Sequence, residues 1–182
     1  MTLTATIYTF EIELADSDRG VYETLALRVA RHPSEAPDYL LTRVLAYCLE
    51  HTEGIAFSSG GLSDPDEPPL AVRDLTGALR VWIEIGAPDA ARVHRACKAA
   101  PRVAVYTHKN PSKVLALWAG ERIHRADALE LYSFGRELLD ALLAKLERRM
   151  TFSLAVTSGH MYFTIGDAVI EGPIERHSVQ AA

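Results

Sequence analysis

The stretch RVWIEIGAPDAARVHRACKAAPRVAVYTH, Arg80 to His108, sets a strand, a helix and a second strand end to end. Val81, Trp82, Ile83 and Ile85 are β-formers in a short apolar run. Pro88 then opens a helix that turns Val93, Ala96, Cys97 and Ala100 inward, and RVAVYTH follows as a buried strand. Glu84 does not fit this pattern. A carboxylate near the end of so apolar a strand is either turned to solvent or held for chemistry.

Upstream, LAVRD, the tight LTG and ALRVWIEIG make a hairpin, preceded by the short strand GIAFSSG and the Pro- and Asp-dense loop GLSDPDEPP. SSGG, Ser58 to Gly61, reads as a turn. The segment RHPSEAPDYLLTRVLAYCLEHT predicts a helix with Ser34 as N-cap, Pro37 in its first turn, and Glu35 and Asp38 at its positive end. Its apolar stripe is Leu41, Val44, Leu45, Cys48 and Leu49. TLTATIYTFEIEL and VYETLALRVA form an N-terminal hairpin across ADSDRG.

Downstream come a short helix in PSKVLALWAG, a strand in ALELYSF and an amphipathic helix over GRELLDALLAKLERR. A meander over MTFSLAVTSGHMYFTIGDAVIEG and a frayed tail, ERHSVQAA, complete the chain. The pattern is α+β with a mixed sheet, in one domain over residues 1–182, and its centre runs helix, three strands, helix, strand.

Composition narrows the function. At 182 residues the chain can bury a sizeable core, and 48% hydrophobic with 24% charged residues is ordinary for a soluble globular protein. No apolar run approaches the ~18 residues of a membrane span, and the N-terminus lacks the basic region of a signal peptide. Two cysteines, both on apolar helix stripes, read as reduced core thiols of a cytoplasmic protein. The net charge of −5 opposes a dedicated polyanion binder, so any nucleic-acid contact must rest on a local basic patch.

Pairing Asp74 with Ala78 across the hairpin places Glu84 opposite Pro68, with Asp66 and Glu67 at the same sheet end. Carboxylates converging there suit a hard cation, Mg²⁺ or Mn²⁺, which takes oxygen ligands and keeps positions for water and phosphate. The alternative puts Arg80, Trp82 and Glu84 together on a half-exposed strand face, with SDPDEPP a solvated loop. Glu35 adds a fourth carboxylate if its helix aims its start at this end; otherwise it complements the helix dipole. On the next helix Arg92, Arg95 and Lys98 lie off the apolar stripe, Arg92 nearest to Glu84. There is no histidine pair at metal-helix spacing, no Gly-rich phosphate loop, no G-x-S-x-G elbow and no C-x-x-C.

ARHPSE (Ala30–Glu35), DEP (Asp66–Pro68), WIEIGAPD (Trp82–Asp89) and RRMTF (Arg148–Phe152) fall in an order that resembles the YaeQ family, as does the opening LTATIYTFEIELADSDRGVY. The resemblance covers nearly the whole chain. It implies a variant of the PD-(D/E)XK nuclease core, a restriction-endonuclease-like α-β-β-β-α-β arrangement with an N-terminal hairpin and a C-terminal meander. It also implies metal ligands at Glu35, at Asp66 or Glu67, and at Glu84. Where that superfamily carries the lysine of (D/E)-x-K, this chain has Gly86. The expectation is a nuclease-like protein that uses Mg²⁺ on nucleic acid, with catalytic Glu35, Asp66, Glu67, Glu84 and Arg92, and with Arg92, Arg95 and Lys98 facing phosphate. The alternatives are a non-catalytic nucleic-acid- or protein-binding module that keeps the fold and has lost the lysine, and a protein-interaction scaffold.

Overall fold

The structure, a computed structural model, describes residues 4–58 and 66–180. In chain order the elements are β1 (Thr6–Asp16), β2 (Val21–Arg31), α1 (Pro37–Leu49), β3 (Ile55–Phe57), β4 (Leu70–Arg73), β5 (Leu79–Ile85) and α2 (Ala90–Ala99). They continue with β6 (Arg102–Thr107), α3 (Pro111–Trp118), a 3-10 turn (Ala126–Ala128), β7 (Glu130–Phe134), α4 (Arg136–Leu143), β8 (Arg149–Thr157), β9 (His160–Ile165) and β10 (Ala168–His177). The architecture is mixed α+β. The chain divides into two compact units, Met1–Leu41 with Phe134–Glu175, and Thr42–Ser133 with Arg176–Ala182.

In the first unit the strands lie in the order β2-β1-β8-β9-β10. The N-terminal hairpin pairs antiparallel from Thr6↔Arg31 to Asp16↔Val21, and β1 runs parallel to β8. Strict alternation sends Phe10, Ile12 and Leu14 inward with Leu25, Leu27, Val29, Phe152, Leu154 and Phe163. The meander turns at Ser158 and Gly159, both with positive φ, and their N–H groups donate to the Asp18 carboxylate at 2.7 and 2.8 Å.

Three boundaries depart from the sequence reading. Helix α4 ends at Leu143, because bonds from Lys145 to Leu142 and from Leu146 to Leu143 tighten the chain into a turn, freeing Arg149 to pair with Thr9. The first part of the tail, Glu175 to His177, is strand instead of frayed. Ser34 is not the N-cap of α1: it sits in a turn before the helix, its hydroxyl bonded to His32 Nδ1 at 2.6 Å, and the first helical bond runs from Leu40 to Ala36.

In the second unit the order is β7-β6-β5-β4-β3, with β3, β4 and β5 antiparallel and β5, β6 and β7 parallel. Helix α2 connects β5 to β6, and α3 lies between β6 and β7. Both pack on one face of the parallel strands, where Trp82, Val93, Cys97, Val105, Val114, Trp118 and Leu131 form a single core cluster. Trp118 Nε1 donates to the Pro88 carbonyl at 2.9 Å and ties α3 to the turn that starts α2.

This packing overturns the half-exposed reading of β5. Trp82 and Glu84 are 3% and 4% exposed, because parallel strands joined by helical crossovers are covered on both faces. The hairpin register also shifts. Asp74 faces Ala78 as expected, but Arg73 pairs Leu79 while Val72 pairs Val81, so Arg80 is bulged out. Beyond the bulge every pair moves by one, Leu70↔Ile83 included, and Glu84 lies level with Pro69 instead of Pro68. The end of the SSGG segment, residues 59–61, lies outside the described residues.

Candidate functional site

The site begins with where β5 ends. Glu84 is its penultimate residue, on the face that α2 and α3 cover, beside Val105 of β6. The chain leaves the strand at Gly86, whose N–H donates to the Tyr106 carbonyl at 2.9 Å. Gly86 has φ +90°, in the left-handed region that costs an L side chain about 1–3 kcal/mol. Glycine at the lysine position of the resemblance therefore has a backbone reason.

Asp89 then caps α2, its carboxylate accepting from the Arg92 N–H at 2.8 Å. One turn in, the Arg92 guanidinium folds back over the strand end. Its Nε donates to Glu84 Oε2 at 2.7 Å, its Nη2 donates to the Glu67 carbonyl at 3.1 Å, and it lies 5.6 Å from the centre of the Trp82 ring. Trp82 Nε1 donates to the same oxygen, Glu84 Oε2, at 2.9 Å. Burial pushes the Glu84 carboxyl above its ordinary range, while the Arg92 charge and hydrogen bonds from Arg92, Trp82 and the Ile85 backbone pull the other way without cancelling it.

The other candidates are placed as follows. Glu67 is half-buried and reaches this centre through its backbone carbonyl; Asp66 is exposed. Arg95 and Lys98 are exposed on α2. Glu35 belongs to the first unit and is buried just before α1, its carbonyl accepting from Arg31 Nε at 2.9 Å. Among the described residues, no three His, Cys, Asp or Glu side chains converge to hold a metal ion. The donor set at Glu84 does not fit a divalent cation either. The acid's Oε2 already accepts from an arginine and an indole, and a guanidinium at 2.7 Å repels a second cation.

Sequence reasoning missed a second polar centre. On the opposite face of the parallel strands, Arg102 makes paired bonds to Glu50 (2.7 and 3.0 Å) and to Glu130 (2.7 and 3.0 Å). Tyr106 donates to Glu50 at 2.7 Å, Tyr132 donates to Glu130 at 2.5 Å, and the two rings stack at 4.9 Å. Burial alone would raise Glu130, but the bonds from Arg102 and Tyr132 outweigh it and hold its carboxyl below the ordinary range. Burial and then Glu130 push the Tyr132 hydroxyl up to about 12. The available signal was that β6 and β7 each begin with a charged residue ahead of an apolar run.

The two cysteines are free and buried, as expected, and burial pushes their thiols up to about 12 at Cys48 and about 11 at Cys97. No helix of the described residues is long and apolar enough to cross a membrane.

A mixed α+β chain with charge-paired acids on both faces of a parallel sheet defines a class without naming a relative; comparison supplies the family. The YaeQ protein family model matches residues 1–173, and the chain belongs to that family. It is 30% identical over 167 residues to the uncharacterised protein YaeQ of Escherichia coli (strain K12), covering 90% of this chain and 91% of that one. It is 32% identical over 169 residues to its counterpart in Salmonella typhi, with the same coverages. Among solved structures, YaeQ from Pseudomonas syringae superposes with a TM-score of 0.84 at 28% identity, covering 97% of each chain. YaeQ from Xanthomonas axonopodis pv. citri gives 0.81 at 27% identity, covering 97% of this chain and 100% of that one.

Proposed function

We propose that this chain is a non-catalytic nucleic-acid-binding protein built on a nuclease-like layout, in which Glu84 is a charge-paired core acid and not a metal ligand. The observation that carries the reading is the double use of Glu84 Oε2, by Arg92 at 2.7 Å and by Trp82 at 2.9 Å. The succession α1-β3-β4-β5-α2-β6 supports the nuclease-like layout, and Gly86 withholds the lysine that hydrolysis would use. Arg95 and Lys98, exposed on the helix that follows Glu84, supply cations for phosphate. On a chain of net charge −5 such binding is local and strongly salt-dependent.

The test is fluorescence anisotropy with labelled single- and double-stranded DNA and RNA, with and without Mg²⁺, and gels for cleavage. The expected result is salt-sensitive binding that needs no Mg²⁺ and cuts nothing. Cleavage by wild type that Glu84→Gln abolishes would replace this reading with a hydrolytic one.

That second reading, Mg²⁺- or Mn²⁺-dependent phosphodiester hydrolysis, is favoured by one observation: a buried carboxylate with a raised pKa at the carboxyl end of a parallel strand. It requires Arg92 to leave Glu84. Thermal melts separate the two, since a Mn²⁺-dependent rise in Tm seen in wild type and lost in Glu84→Gln belongs only to an ion site.

A further inference from the structure

A protein of net charge −5 that binds a polyanion must gather cations somewhere, and the second unit gathers them where α2 meets the loop after α3. Ile123 packs against the core cluster and anchors that loop, leaving Arg122 and His124 exposed on either side of it. The His124 backbone N–H donates to His94 Nδ1 at 3.0 Å, and the two imidazoles meet edge to face at 6.4 Å. Arg125 fastens the same loop to the end of α2, donating through Nη2 to the carbonyls of Cys97 at 2.6 Å and Ala100 at 2.9 Å. Lys98 stands one helical turn beyond His94 on α2.

The neighbours that act electrostatically on His94 are all basic. Partial burial and then Lys98, Arg122 and His124 depress its pKa, so the ring is neutral at pH 7. Because Nδ1 accepts from the backbone, the neutral ring carries its proton on Nε2, a donor suited to a phosphate oxygen. The arrangement carries Lys98 and Arg122 on two segments fastened to each other, a grouping of positive charge that an anion would offset. The carboxylates carried on the same stretch are Glu121 and Asp127, both exposed.

We infer that His94, Lys98, Arg122 and His124 form a phosphate-contact site for the backbone of a nucleic acid, extending the α2 surface of Arg95 onto the loop after α3. This rests on the nucleic-acid reading above. The contacts address phosphate and not bases, so the site binds without sequence preference and its affinity falls steeply with salt.

The test is anisotropy of a labelled single-stranded oligonucleotide over a series of KCl concentrations. Lys98→Glu/Arg122→Glu is expected to weaken binding at least about 10-fold and to flatten the log–log salt slope by about 1–2, one increment of ~0.7 per lost phosphate contact. Lys98→Gln/Arg122→Gln, free of introduced negative charge, should lose a smaller part. Lys145→Glu/Arg148→Glu, which makes the same change in net charge at exposed residues of the other unit, should bind within about 2-fold of wild type. Wild-type binding that Lys98→Glu/Arg122→Glu leaves unchanged would overturn this site and the part given to Lys98, and spare nucleic-acid binding as such. No binding by wild type, or binding to anionic phospholipid vesicles in place of oligonucleotides, would overturn both.

Discussion

The two acid centres of the second unit lie on opposite faces of the same parallel strands, and each is organised around one arginine. At Glu84 a single carboxylate takes its two side-chain donors on one oxygen and keeps a raised pKa. At Glu50 and Glu130 two carboxylates share four bonds from Arg102 and one from each tyrosine, and Glu130 is held below its ordinary range. The second centre is a closed network that joins the end of α1 to the starts of β6 and β7. The first is poorer in hydrogen bonds and more deeply buried. Burial thus dominates where it is deeper and bonds are few, and bonds dominate where burial is shallower and they are many.

The largest effect that would break this comparison is expected at Arg102. Arg102→Met strips the shared partner from two acids, and urea unfolding at pH 7 should show a loss of about 3–4 kcal/mol. The figure sits at the lower side of the buried-pair range because the Arg102 side chain is 38% exposed. Adding Glu50→Gln and Glu130→Gln should recover part of it. A loss below about 1 kcal/mol would reduce the network to surface decoration.

Arg92→Met should cost less, about 2–3 kcal/mol, although Glu84 and Arg92 are the more deeply buried pair. The reason is that Glu84 already has a raised pKa and can take up a proton once its partner is gone. The penalty should therefore shrink on acidification, and Arg92→Met/Glu84→Gln should be more stable than Arg92→Met alone. A penalty that stays constant from pH 7 to pH 5 would deny the raised pKa.

Opposite pKa directions give the third test. Glu84 is raised above 4.5 in the folded chain, so its contribution is present below that value and fades as pH rises through the folded pKa. Glu130 is lowered, so its contribution is present above 4.5 and is lost as pH falls. Stability profiles of Glu84→Gln and Glu130→Gln against wild type should differ with opposite slopes. The expected size is about 1.4 kcal/mol for each unit by which the folded and unfolded pKa values differ. Parallel profiles would mean that both centres obey the same balance.

The two centres were also unequally legible. Glu84 announced itself as one charge in an apolar strand, and counting along the helix from Pro88 brings Arg92 to that strand end, where its guanidinium stands. Burial was not legible. The odd positions of β5 are apolar on one face, and only the packing of α2 shows that the face of Trp82 and Glu84 is covered as well. Arg102 is 52 residues from Glu50 and 28 from Glu130, and the three meet only through the β6–β7 pairing and the end of α1. Contacts at such separation leave no periodic trace in the chain. The one-residue register shift had a local cause, the bulge at Arg80, which apolar alternation cannot reveal.

The smallest expected effect is at Asp89. Its carboxylate caps α2 by accepting from the N–H of Arg92, the residue whose guanidinium sits on Glu84. The cap therefore fixes the start of the helix and the reach of the arginine through one bond. Asp89→Ala should cost about 1 kcal/mol of stability, and Asp89→Asn a few tenths, since asparagine caps nearly as well. The Arg102 network has no such dependence, because no residue of α2 bonds to it among the bonds described. Amide exchange in the first turn of α2 should quicken in Asp89→Ala, while the Tyr132 hydroxyl still titrates near about 12. If both centres loosen together, the sheet between them transmits the change and the two are one cooperative unit; if only α2 responds, the Glu84 centre is held from its helix and the Arg102 network from its strands.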